Sequence, residues 1–109
     1  MFRPFMLVMA LGILMATSVT AAEREHRLPG NHGRGAWRPD LLVREQPPAN
    51  GDRSRPVLYI HGATFPSALS MMFKFEGASW ADSLNAAGFD VFALDFAGYG
   101  DSERYPSMK

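Results

Sequence analysis

Two uninterrupted apolar runs flank one capped helical stretch, and no other feature limits the possible folds so strongly. Val57-Leu58-Tyr59-Ile60 ends at His61-Gly62, and the run from Phe89 to Phe96 is centred on Val91-Phe92-Ala93-Leu94. Short apolar runs without polar alternation suit strands covered on both faces, as parallel strands are. Between them, Ser79-Trp80-Ala81-Asp82 has the form of a capping box with Ser79 as N-cap. Trp80, Leu84 and Ala87 then make one apolar face, and Gly88 stands where a glycine ends a helix. Strand, helix and strand in this order predict a βαβ unit with a right-handed crossover, hence an α/β class with a parallel sheet.

The chain has 109 residues, 47% of them hydrophobic, with 11 Lys plus Arg against 11 Asp plus Glu and no cysteine. That length holds one small domain at most. Zero net charge offers no basic stripe for a nucleic acid. Without cysteine there is no disulfide framework, thiolate zinc site or cysteine nucleophile.

Residues 1–22 read as a secretory signal peptide: Arg3, an apolar stretch from Phe5 to about Ala16, then small residues ending in Ala21-Ala22. Cleavage would follow Ala21 or Ala22 and release the protein to the periplasm or the outside. An uncleaved anchor over residues 4–20 is the rival. It is short for a span of ~20 residues, and Gly12 and Thr17 weaken it, so no stable membrane span is expected. Removing these 22 residues leaves 87, with ten basic and eleven acidic side chains.

Residues 23–35, charged and rich in glycine, read as an exposed arm or linker. His26 and His32 lie here. No carboxylate or further histidine recurs at a helical or hairpin spacing, so they read as solvated loop histidines rather than as metal ligands. Leu41-Leu42-Val43 suits a short strand near a sheet edge, and Asn50-Gly51 a turn.

Sixteen residues, 63–78, separate Gly62 from the helix start. Most βα connections take about 2–6, and longer ones are commonly functional. The loop leaves the carboxyl end of a strand, where open α/β sheets bind ligands. Its Met71, Met72, Phe73 and Phe75 either cover the helix and sheet or line an apolar substrate pocket.

Residues 56–66, Pro-Val-Leu-Tyr-Ile-His-Gly-Ala-Thr-Phe-Pro, and residues 94–102, Leu-Asp-Phe-Ala-Gly-Tyr-Gly-Asp-Ser, together resemble the amino-terminal part of the α/β-hydrolase family. The resemblance spans about residues 36–106. It implies the start of an α/β-hydrolase fold over residues 36–109, a parallel βαβ unit preceded by short edge strands, with the sheet incomplete. In that family the strand ending in His-Gly is followed by a loop that gives a backbone N–H to the oxyanion hole. The resemblance therefore assigns Ala63 and Thr64 to that hole and makes His61 a residue that fixes the loop. Ala97 departs from the pattern, since many relatives have arginine before the glycine.

The same residues have a physical reading of their own. Gly98 and Gly100 permit a sharp turn after a buried strand. Gly62 lets the backbone aim its amides at a ligand, and Asp95 suits backbone amides at its strand end.

The family's nucleophile elbow, Gly-x-Ser-x-Gly, occurs nowhere in the chain. Its nearest imitation is Gly77-Ala78-Ser79-Trp80-Ala81, and no histidine follows it. No phosphate-binding loop, dinucleotide fingerprint or His-Glu-x-x-His occurs either. The expectation is the amino-terminal portion of an exported esterase- or lipase-like hydrolase. It would supply the oxyanion loop for a small ester-like substrate, use no cofactor, and contribute no nucleophile, acid or base histidine. Alone it is expected to be inactive and prone to self-association. The alternative is a short non-catalytic exported binding protein.

Overall fold

The structure is a computed structural model and describes residues 22–107. The leader expected at residues 1–22 therefore lies, but for Ala22, outside the described residues. Four strands, β1 (Arg24–Leu28), β2 (Leu41–Gln46), β3 (Pro56–Ile60) and β4 (Asp90–Leu94), form one sheet in the order β1-β2-β4-β3. The pairs β1/β2 and β2/β4 are antiparallel, whereas β3/β4 is parallel. One α-helix, α1 (Trp80–Ala86), joins β3 to β4, after a short 3-10 turn at Ser67–Leu69.

This corrects the fold class. The expected α/β fold, a parallel βαβ unit preceded by short edge strands in an incomplete sheet, gives way to a mixed four-stranded sheet in which β3, α1 and β4 are the one parallel unit. Two of its three strand pairings are antiparallel, and it carries a single seven-residue α-helix. The cause lies in β1, which no apolar run reveals, and in the antiparallel place that β2 takes beside β4. Residues 24–28, expected as part of an exposed arm, form β1. Every residue of β1 is exposed, and its antiparallel ladder with β2 is supplemented by charge pairs. Arg44 Nη1 donates to Glu23 and Glu25 at 2.8 and 2.7 Å, and His26 Nε2 meets Glu45 Oε2 at 2.5 Å. β2 is consequently an interior strand rather than an edge. It occupies one flank of β4 and leaves β3 with β4 as its sole neighbour among the described residues.

β3 thus lies at the sheet edge, and its two faces differ. Val57 and Tyr59 pack on the core, while Leu58 and Ile60 are 58% and 46% exposed. The core lies on the helix side of the sheet, where Val91 and Ala93 of β4 meet Met71, Met72 and Ala81. α1 begins at Ser79 with the reciprocal capping box: the Ser79 hydroxyl accepts from Asp82 N–H, and the Asp82 carboxylate accepts from Ser79 N–H. Gly88, at φ 87°, follows the C-cap. The buried face of this helix is Ala81 rather than Trp80, which is 77% exposed. Gln46 Nε2 ties β2 to the helix through Asp82 and Asn85, at 2.7 and 2.6 Å.

The opposite face has a different character. The register sets Leu58 beside Phe92 and Ile60 beside Leu94, with Val43 next to Leu94. Side chains at paired positions share a face, so these five form an apolar surface that no helix among the described residues covers.

Candidate functional site

Because β3 and β4 are parallel and Ile60 pairs with Leu94, the segments beginning at His61 and Asp95 leave the sheet side by side. That puts every sequence-predicted site residue in one region. His61 is buried, 3% exposed. Its Nε2 accepts from the Phe96 N–H at 3.0 Å, and its Nδ1 donates to the Gly62 carbonyl at 2.6 Å. Both ring nitrogens are spent on backbone, so neither is left to take a proton from a substrate. The ring also packs edge-on against Phe96 and tilted against Tyr99, each at 4.8 Å between centroids.

Asp95 is fully buried and accepts from two amides, Ser67 N–H at 2.7 Å and Asp101 N–H at 3.3 Å. One carboxylate thus anchors both loops: Ser67 belongs to the long connection after β3, and Asp101 to the turn after β4. Ser102 completes the anchor. Its hydroxyl accepts from Leu42 N–H at 2.8 Å and donates to the Asp95 carbonyl at 2.6 Å. Gly98 and Gly100 have φ of 82° and 50°, in the left-handed region where a side chain is strained. Gly62 is different: no positive φ is found there, and a Cβ would meet nothing within 4 Å. Sterics do not demand glycine at that position.

Ala63 and Thr64 are exposed. Among the described residues, their N–H groups donate to no acceptor, while the Ala63 carbonyl accepts from the Tyr99 hydroxyl at 2.9 Å. The loop is therefore tied through its carbonyl and its histidine, and its amides remain available. Sequence reasoning missed Tyr99, which stood only as the variable residue between two glycines. Its phenol on a turn flanked by glycines was the available signal.

The long loop divides its apolar residues. Met71 and Met72 are buried in the core, whereas Phe65, Phe73 and Phe75 are exposed, Phe75 at 71%. Ser79 is committed to the helix cap and is 4% exposed. No family model matches the chain, and no curated protein matches it.

Proposed function

We propose that residues 61–64 serve as the oxyanion loop of an exported serine-type acyl hydrolase acting on small ester-like substrates. Nucleophile, acidic partner and base histidine would come from chain beyond residue 109. The observation that carries this reading is the pair of unengaged N–H groups at Ala63 and Thr64, on a loop fastened by His61 to Phe96 and by Tyr99 to the Ala63 carbonyl. Donors held in place before charge develops stabilise an oxyanion most, and losing one costs roughly 10²–10³ in turnover. The exposed rings of Phe65 and Phe73 offer an apolar flank for an acyl chain. The reaction class itself rests on the resemblance of residues 56–66 and 94–102 to the α/β-hydrolase family.

Expressing the gene with its downstream sequence tests the reading. A fluorophosphonate probe is expected to label a serine of a Gly-x-Ser-x-Gly beyond Lys109, and the exported product to begin at Ala22 or Glu23. Tyr99→Phe should lower kcat for a short activated ester with KM little changed. The 109-residue chain alone should give no turnover. Steady hydrolysis abolished in Ser79→Asp, which keeps the helix cap, would put the nucleophile at Ser79 instead.

One observation favours the second reading, a short non-catalytic binding protein. An open cavity of about 460 Å³ is lined by Leu28, Pro29, Leu41, Phe96 and Tyr105, with Arg38 in its wall. Its size falls within the range of small-molecule sites, about 300–1,000 Å³, and one cation in an apolar lining suits an apolar carboxylic acid. A stop codon after Lys109, together with saturable binding of a medium-chain fatty acid that Arg38→Ala weakens, would make this the leading reading.

A further inference from the structure

Three segments remote in sequence bring one imidazole and two carboxylates together at the opposite end of β1 from Arg24. His32 lies in the loop after β1, Asp40 immediately before β2, and Glu103 after the turn that follows β4. His32 Nε2 stands 2.7 Å from Glu103 Oε2 and 3.6 Å from Asp40 Oδ1, and all three donor atoms lie within 4.8 Å of one another. We propose that these three side chains bind a divalent transition-metal ion, a site independent of the oxyanion loop.

The geometry fits such an ion. A metal held ~2.0–2.2 Å from each donor needs donor separations of roughly 3–3.5 Å. The two separations from His32 Nε2, 2.7 and 3.6 Å, fall on either side of that range, and the three donor atoms, all within 4.8 Å of one another, close on one ion with side-chain movements of up to about an ångström. The ligands are also oriented from outside. Gly30 N–H donates to Asp40 Oδ1 at 2.6 Å, and Asp40 N–H donates to Glu103 Oε2 at 2.9 Å. Glu103 N–H in turn donates to the Asp40 carbonyl at 2.9 Å, which pins the two acidic residues together through backbone. Gly30 itself is required, because a Cβ there would stand 2.5 Å from the Pro39 carbonyl carbon. On the third side, the His32 ring packs at a tilt against Trp37 at 5.3 Å, and Trp37 likewise against Tyr105 at 5.5 Å. Outer contacts of this kind set ligand orientation in metal sites.

Charge makes the same demand. Two carboxylates converge here, and among the described residues no lysine or arginine lies within salt-bridge distance of either. A cation placed between two carboxylates is favoured by both of them. Imidazole with carboxylates suits a first-row transition ion such as Zn²⁺ rather than Ca²⁺, which takes oxygen ligands. Three protein ligands leave at least one coordination position open to water.

Titration of the full chain with Co²⁺, followed by visible absorption and calorimetry, with Zn²⁺ as competitor, tests the site. The expected result is saturable binding of one ion, a raised thermal midpoint with Zn²⁺, and at least ten-fold weaker binding in His32→Ala and in Glu103→Gln. His32 is exposed, and glutamine keeps the oxygen that accepts from Asp40 N–H, so both variants should fold. Absence of one-to-one binding overturns the site and leaves a His32–Glu103 ion pair in its place. Binding weakened less than ten-fold in His32→Ala also overturns it, and His26→Ala then shows whether the ion sits there instead.

Discussion

Asp95 and Gly100 fill one space: a Cβ on Gly100 would stand 2.8 Å from the Asp95 carboxyl carbon and 3.0 Å from Pro66 Cβ. The turn after β4 closes this tightly because the Asp95 carboxylate must reach both Ser67 N–H and Asp101 N–H. A glycine at φ 50° is what lets the backbone pass over the carboxylate.

Gly100→Ala is therefore expected to destabilise the fold by about 2–4 kcal/mol, combining left-handed strain with overpacking. Gly62→Ala, where a Cβ meets nothing within 4 Å, should cost less than about 0.5 kcal/mol. Urea midpoints of the two variants against the parent chain check the contrast. Equal losses would mean that the turn around Asp95 relaxes freely.

His61, Asp95 and the paired glycines were legible in the sequence because each stands where an apolar run breaks, and a break at a strand end has few physical meanings. The helix start was legible for the same reason: a capping box is a local device, complete within Ser79–Asp82. What failed was whatever depended on neighbours. β1 has no apolar alternation, and the charge pairs that supplement its ladder, Arg44 with Glu23 and Glu25, are about twenty residues apart. The apolar run Val57–Ile60 suits either an interior or an edge strand, and only the place taken by β2 beside β4 decides between them. Likewise, the carboxylates around His32 arrive from Asp40 and, 71 residues away, Glu103, so no spacing rule brings them together.

The Asp82 carboxyl supplies a pH dependence. Burial disfavours its charge, yet hydrogen bonds from Lys74, the Ser79 N–H and Gln46 outweigh that and hold it at about 2, below its ordinary value of 3.8. A depressed folded-state value stabilises the fold above the ordinary carboxylate range, and that stability is lost as pH falls toward about 2. Lys74 is half exposed, so solvent screening reduces the contribution to about 1 kcal/mol. Asp82→Asn should be less stable than the parent near pH 6 and lose correspondingly less between about pH 4 and pH 2. Denaturant melts at the two ends of that range measure it, and parallel curves would refute it.

Asp90 points the other way. It is 1% exposed, and its Oδ1 has no hydrogen-bond partner. Burial pushes its carboxyl up, and the charge of Glu45 adds to the rise, against smaller opposing effects of Arg53, Arg24 and His26. A raised carboxyl value means that the unfolded chain ionises first, so the fold is penalised progressively as pH climbs above the ordinary carboxylate range. Asp90→Asn removes that charge and should stabilise the chain by about 1 kcal/mol near neutral pH. The gain should fade on acidification. A gain independent of pH would trace to packing and not to charge.

The last prediction concerns the open side of the sheet. β3 has a neighbour on one edge only among the described residues, and no charge or proline interrupts Val57–Ile60. Such an edge presents unpaired N–H and C=O groups to any other strand, and natural sheets usually guard it with lysine, proline or a bulge. Here the edge adjoins the uncovered face, where Leu58 and Ile60 are 58% and 46% exposed beside Phe92 and Leu94. Backbone pairing and apolar burial would therefore be gained in one contact. The purified chain is expected to associate with rising concentration in size-exclusion chromatography with light scattering. Leu58→Lys adds a charge to both the edge and the face without touching the core formed by Val57, Tyr59 and Val91, so it should restore the monomer while leaving the thermal midpoint nearly unchanged. Tyr59→Lys, which would bury its charge in that core, should lower the midpoint instead. A parent chain that stays monomeric at every concentration would show that the exposed strand and face do not drive self-association.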